Sequence, residues 1–233
     1  VGVASYLLGR LSAIDGAVKQ AQDLLSFALH RARQIGATED ELGPAAGLGQ
    51  VLLAEGQAAE AVQVTEGPIA PVVAKRIWMF ATELAPVRVR ALVATGRITD
   101  AEELVSAYEQ GVSGQDLPAP SAGLATCQAV LAQARGEPAA DAWLRAAQAW
   151  ERLPRPYDGL LARQQAAECL LAQGHTERGT DLLTEVWQGL SEMGARTDAD
   201  QVGHRLRAYG VEVRRPWRGG RRRPAPPRRP AGL

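Results

Sequence analysis

Residues able to do acid–base, nucleophilic or metal chemistry are sparse in this 233-residue chain and stand apart from one another. The three histidines, His30, His175 and His204, form no His-x-x-x-His or His-Glu-x-x-His pair. The spacing that sets two imidazoles on one helical face for a metal is therefore missing, and they read as solvent-facing or turn residues. Cys127 and Cys169 read as small buried thiols, since a reducing cytosol disfavours a disulfide. No Gly-x-Ser-x-Gly elbow occurs, and neither Lys19 nor Lys75 is followed by Ser or Thr, so no phosphate loop exists. Glu39-Asp40-Glu41, Glu102-Glu103 and Asp198/Asp200 have the side chains of acid–base or metal sites. The simpler reading is first-turn acids complementing helix dipoles and solvated faces. The expectation is a non-enzyme with no catalytic residue, no cofactor and no metal.

Binding chemistry has two candidates. Trp143 and Trp150 fall seven apart on one helical face, and Trp187 follows in the next repeat. They read either as core between repeats or as the aromatics of a ligand groove. The second candidate is a charge boundary. The net charge of zero averages residues 1–213, with 18 basic and 26 acidic side chains, against residues 214–233, with eight arginines and no acid. A segment of that kind contacts phosphate backbones without sequence preference, through Arg218, Arg221, Arg222 and Arg223, with strong salt dependence. It also reads as a linker remnant, or as a strand of charge folding back on the acidic body. Its prolines predict an extended, disordered tail.

The elements that position these residues are helices. Aromatics are only 5% of the chain and strand-like runs are scarce, which predicts an all-α fold. No apolar stretch approaches a membrane span and no signal peptide opens the chain, so a cytoplasmic protein without membrane contact is expected. Glycines recur at Gly16, Gly56, Gly96, Gly136 and Gly174, at intervals of 40, 40, 40 and 38. Small residues recur seven before them (Gly9, Gly49, Val89, Ala129, Ala167) and five after them (Ala21, Ala61, Ala101, Asp141, Gly179). Val89 and Asp141 break the frame. Small residues let two antiparallel helices approach, and the glycine ends the first in a left-handed conformation.

The flanks carry helical periodicity, as in Ala21, Leu24, Leu25, Ala28, Leu29 and Ala32. Gly67-Pro68 with Pro71, Gly114 with Pro118 and Pro120, and Pro154 with Pro156 are expected to separate the hairpins. The prediction is a TPR-like helical-hairpin solenoid over 1–213, about five helix pairs plus a terminal helix from about Asp198 to Tyr209, and a tail over 214–233. The within-repeat spacing, with Leu48-Gly49, Leu52, Gly56 and Ala61, is similar to tetratricopeptide repeats, although the period exceeds their 34 residues. The first hairpin opens at Val1 without a polar cap, which reads as a start partway along a longer array.

Three runs add a resemblance. Trp150-Glu151-Arg152-Leu153-Pro154-Arg155-Pro156-Tyr157-Asp158, Leu206-Arg207-Ala208-Tyr209-Gly210-Val211 and Trp217-Arg218-Gly219-Gly220-Arg221-Arg222 stand in that order. Together they resemble the C-terminal part of the large ATP-dependent LuxR-type (MalT-like) bacterial transcriptional regulators. The resemblance implies the helical-repeat sensor or scaffold region of such a regulator, lying between a P-loop ATPase and a helix-turn-helix domain. After Arg222 this chain reads Arg223-Pro224-Ala225-Pro226-Pro227-Arg228-Arg229-Pro230, so neither flanking domain is present in it. The expectation is a fragment that binds a protein or small effector. The alternative is a free-standing TPR-like adaptor that binds partner proteins.

Overall fold

The computed structural model describes residues 2–213. Eleven α-helices follow one another: α1 (Gly2–Ile14), α2 (Val18–Ile35), α3 (Thr38–Ala54), α4 (Ala58–Lys75), α5 (Leu84–Ala94), α6 (Ile98–Val112), α7 (Pro118–Ala134), α8 (Ala140–Glu151), α9 (Pro156–Ala172), α10 (Thr176–Met193) and α11 (Arg196–Ala208). A 3₁₀ turn, Trp78–Phe80, precedes α5, and no strand occurs among the described residues. Consecutive helices pack as five antiparallel hairpins, and the odd-numbered helices α1, α3, α5 and α7 stack in series. The fold is the expected TPR-like α-solenoid with a terminal helix.

The repeated glycine does the predicted work. Gly16, Gly56, Gly96, Gly136 and Gly174 all adopt φ between 73° and 82°. In each turn the N–H after the glycine donates back to a carbonyl near the helix end, as from Ala17 to Ser12 at 2.8 Å and His175 to Leu170 at 2.9 Å. A left-handed residue there closes the last turn, a conformation that costs a side chain roughly 1–2 kcal/mol. The small positions are where helices touch. A Cβ on Gly49 would lie 2.8 Å from Val87, and one on Gly9 would lie 2.8 Å from Leu25. Ala21, Ala61 and Ala101 are fully buried.

One of the three expected breaks between hairpins departs from expectation. Gly67-Pro68 and Pro71 do not end a hairpin; α4 runs through both prolines to Lys75. Pro68, Ile69 and Val72 are buried in the main core, so packing holds the second half of α4 against the two lost amide donors. The hairpin ends instead at Arg76, whose φ of 54° does what Gly36 (67°) does forty residues earlier. The other two breaks hold: Pro118 and Pro120 open α7 and Pro156 opens α9, each at the junction between two hairpins and in a first turn where no amide is needed. In the fourth repeat α8 starts four residues after its glycine rather than two, so buried Trp143 takes the helical place that Ala21 has in the first, and Asp141 faces solvent. This is why the frame breaks there.

The stack curls until its ends meet. A Cβ on Gly16 would lie 2.9 Å from the Thr197 hydroxyl, Ile14 packs against the core of α9–α11, and α1 touches α11. The inner helices thus surround a lumen rather than line an open groove.

Candidate functional site

The lumen collects charged side chains that the sequence scatters over 150 positions. Glu83 stands at the N-cap position of α5, where its carboxylate makes no capping bond and turns instead to side chains of other repeats. Arg10 of α1 donates to its Oε2 at 2.9 Å, and Tyr6, one turn earlier on α1, donates to the same oxygen at 3.2 Å. Arg155, just before α9, donates to Oε1 at 2.6 Å and through Nε to Asp158 Oδ2 at 2.9 Å. One carboxylate therefore ties three separate repeats together. Burial alone would raise the Glu83 pKa, but the guanidiniums of Arg10 and Arg155 outweigh it and hold the carboxyl below its usual range. Burial, and then the charge of Glu83, push the Tyr6 phenol up.

The wall of the lumen is aromatic. Trp143 and Trp150 are 1% and 4% exposed, so both belong to the core while presenting an edge to the cavity. Their indole N–H groups are satisfied, by Gln133 Oε1 and by Thr126 Oγ1, each at 2.9 Å. The guanidinium of Arg155 lies 4.9 Å from the Trp150 ring centroid, and that of Arg90 lies 5.6 Å from Trp143. Trp187 stands elsewhere: it is half-buried on α10 and packs in the second core with Leu183 and Val202. The structure brings two of the three tryptophans to one cavity and leaves the third out. The cavity, its mouth included, encloses about 570 Å³.

The remaining sequence candidates fall outside the lumen. His30 is exposed and bonds Gln34, His175 stands in the exposed turn before α10, and His204 is exposed on α11. No group of three metal-ligating side chains forms among the described residues. Cys127 and Cys169 are free and buried on α7 and α9, and burial pushes the Cys127 thiol up, away from reactive thiolate. Glu39-Asp40-Glu41 occupies the first turn of α3, as the dipole reading requires. Glu102 pairs with Arg135 at 2.6 Å. Asp198 accepts from Tyr157 at 2.8 Å. Arg218, Arg221, Arg222 and Arg223 lie outside the described residues, as do the Trp217–Arg222 run and the whole segment 214–233. Sequence reasoning missed Tyr6, Arg10, Glu83 and Arg90. The only local signal was Arg155 with Asp158, three apart at a helix start.

A second surface stands out for its exposure. Val3, Leu7, Leu8 and Leu11 on α1 are between 54% and 68% exposed, along one side of a helix whose other side buries Ser5 and Gly9. No helix of the described residues is long and apolar enough to cross a membrane.

No protein-family model matches the chain, and no curated protein does. Among the solved structures similar in fold are two of one protein. Both are of a putative kinesin light chain from Podosopora anserina with nearly identical TPR-like repeats, one of them a point variant. Each is 20% identical over 82% of this chain and 95% of that one, with TM-scores of 0.46 and 0.45.

Proposed function

We propose that the chain is a helical-repeat scaffold that binds a helical segment of a protein partner along the outward side of α1, without catalytic chemistry of its own. The observation that carries this is the row Val3, Leu7, Leu8 and Leu11, four large apolar side chains exposed along one side of one helix, where no other described helix exposes more than two, such as Phe27 and Ile35 on α2. The repeat geometry says what fits there. The inner helices α3 and α5 each pack between two others of the stack, whereas α1 has α3 on one flank and meets α11 only near its C-terminal end, at Ile14 and Gly16, away from the exposed row. A further helix laid on that flank continues the pattern of ridges and small residues already used inside. The lumen supports the non-catalytic part of the reading, because its carboxylates already hold their arginines.

The test is site-specific photocrosslinking of the chain in its source cells. A crosslinker at Leu7 or Leu11 should give a discrete adduct with one partner, and one at exposed Gln110 on α6 should not. Equal adducts at both positions, or none at Leu7, would overturn the reading. Adducts only with second copies of the chain would replace a partner by self-association.

The finer reading is that the scaffold is the sensor region of a LuxR-type bacterial regulator, working in the cytoplasm. Its support is in the residues, not in any matched relative. The run Trp150–Asp158 supplies Trp150, Arg155 and Asp158 to the lumen, so its distinctive residues are those that build the cavity. The acidic body followed by an arginine-rich segment fits a hand-over toward nucleic acid, with Arg218, Arg221, Arg222 and Arg223 touching phosphate. Coding sequence on either side of this segment tests it. A P-loop ATPase upstream and a helix-turn-helix downstream are expected, and the absence of both would leave the adaptor reading.

A further inference from the structure

We infer that the lumen cavity is a binding site for a small organic carboxylate, held by Arg90 against the indole of Trp143. The inference does not depend on the α1 surface proposed above. Three arginines, Arg10, Arg90 and Arg155, line this cavity together with two carboxylates, Glu83 and Asp158. Arg10 and Arg155 spend their donors on Glu83, and Arg155 also on Asp158. Arg90 has no hydrogen-bond or ion-pair partner among the described residues; its guanidinium lies over the ring of Trp143. That group is half-buried at the cavity, with N–H donors on a planar fork that no side chain of the described residues matches and that water reaches. Asp158 is close enough to influence Arg90 through space but makes no bond to it. The five charged groups sum to one positive charge, and that excess is located at Arg90.

The chemistry that answers a planar guanidinium with one charge to spare is a carboxylate, which accepts two parallel N–H bonds. The size of the ligand follows from the space. The water-accessible space beside Arg90 is small, roughly two water molecules, and the cavity opens to solvent through its mouth. A carboxylate with its first carbon fills that space, and a short alkyl body extends into the mouth. Val87, Leu161 and Ala162 supply apolar wall beside the polar end, so an acid with a short alkyl body is matched at both ends. A dianion such as sulfate matches the single excess charge and the apolar wall less well.

Isothermal titration of the 233-residue chain with butyrate, butyramide and sulfate tests the inference. Butyrate should bind, butyramide, which has the same shape and no charge, should bind at least tenfold more weakly or not at all, and sulfate should fall below butyrate. Arg90→Met keeps a long side chain over Trp143 and should lower butyrate affinity at least tenfold. Butyramide binding as well as butyrate on the unaltered chain would overturn the proposal whether or not the variant folds. So would no detectable butyrate binding, or butyrate affinity unchanged in a folded Arg90→Met chain. Sulfate binding alone would show an inorganic-anion site and equally overturn it.

Discussion

Glu83→Gln removes one negative charge and leaves the shape of the lumen nearly unaltered. Glu83 accepts from two guanidiniums and one phenol, and its side chain and those of Arg10 and Arg155 are between 25% and 30% exposed. A hydrogen bond to a charged group contributes about 1.5–3 kcal/mol. Two of them at the low end give about 3 kcal/mol, and the partial exposure reduces this to about 2 kcal/mol. Loss of a carboxylate at the start of α5 adds a few tenths through the helix dipole. The variant should therefore unfold at lower urea concentration with an unchanged slope, and melt about 4–8 °C lower for a chain of this length. Far-UV circular dichroism in urea reads this directly. A cycle with Arg155→Met locates the cause: if Glu83 ties the repeats together, the double variant loses about 1 kcal/mol less than the two singles combined. A cost below about 0.5 kcal/mol, or additivity within about 0.3 kcal/mol, would refute the idea that this carboxylate clamps the lumen.

Other substitutions probe the packing. Gly111→Ala would place a methyl 1.8 Å from Trp78 Cδ1, and that indole is fixed by stacking on Tyr108 at 5.1 Å; the expected loss is about 1–3 kcal/mol, against the gain of about 1 kcal/mol that Ala normally brings to a helix, and a stabilised variant would contradict the packing of the third hairpin. Arg76→Gly relieves a left-handed side chain that is exposed, and should raise stability by about 0.5–1 kcal/mol in thermal melts. Two acids should respond to pH in opposite directions. Glu83, held below its ordinary pKa, contributes stability above the unfolded carboxylate value near 4.3 that disappears as pH falls through its folded value. Asp198 is raised by burial against the opposing hydrogen bond from Tyr157, so its ionisation weighs against folding as pH rises past its unfolded value near 3.9. Asp198→Asn should then melt at or above the parent at pH 7, with the advantage gone at pH 3.

Much of the fold was legible because it is local. A glycine that closes a helix and a small residue where two helices cross are decided within about fifteen residues, and both recur with the repeat. The prolines misled because a ring in a helix is weighed locally, while Pro68 and its neighbours on α4 are held by burial from other repeats. The lumen was illegible for a related reason. Tyr6 and Arg10 are four apart on α1, but this pair, Glu83 and Arg155 stand more than seventy residues from one another in sequence; only the curvature of the whole stack brings them together. Trp143 and Trp150 were legible as a pair on one face. That Arg90 and Arg155 lie over their rings was not.

The meeting of α1 with α11 changes how such a protein should come apart. An open array of repeats frays from its termini, since an end unit has a neighbour on one side only and can peel away without disturbing the rest. Here each terminal helix shields the other. Lifting α1 uncovers Ile14 and strips Arg10 from Glu83, and lifting α11 exposes Val202 and Leu206 and releases the Tyr157 phenol. The weakest places are then no longer the ends. Amide exchange should show α1 and α11 opening together with the interior, as one cooperative unit.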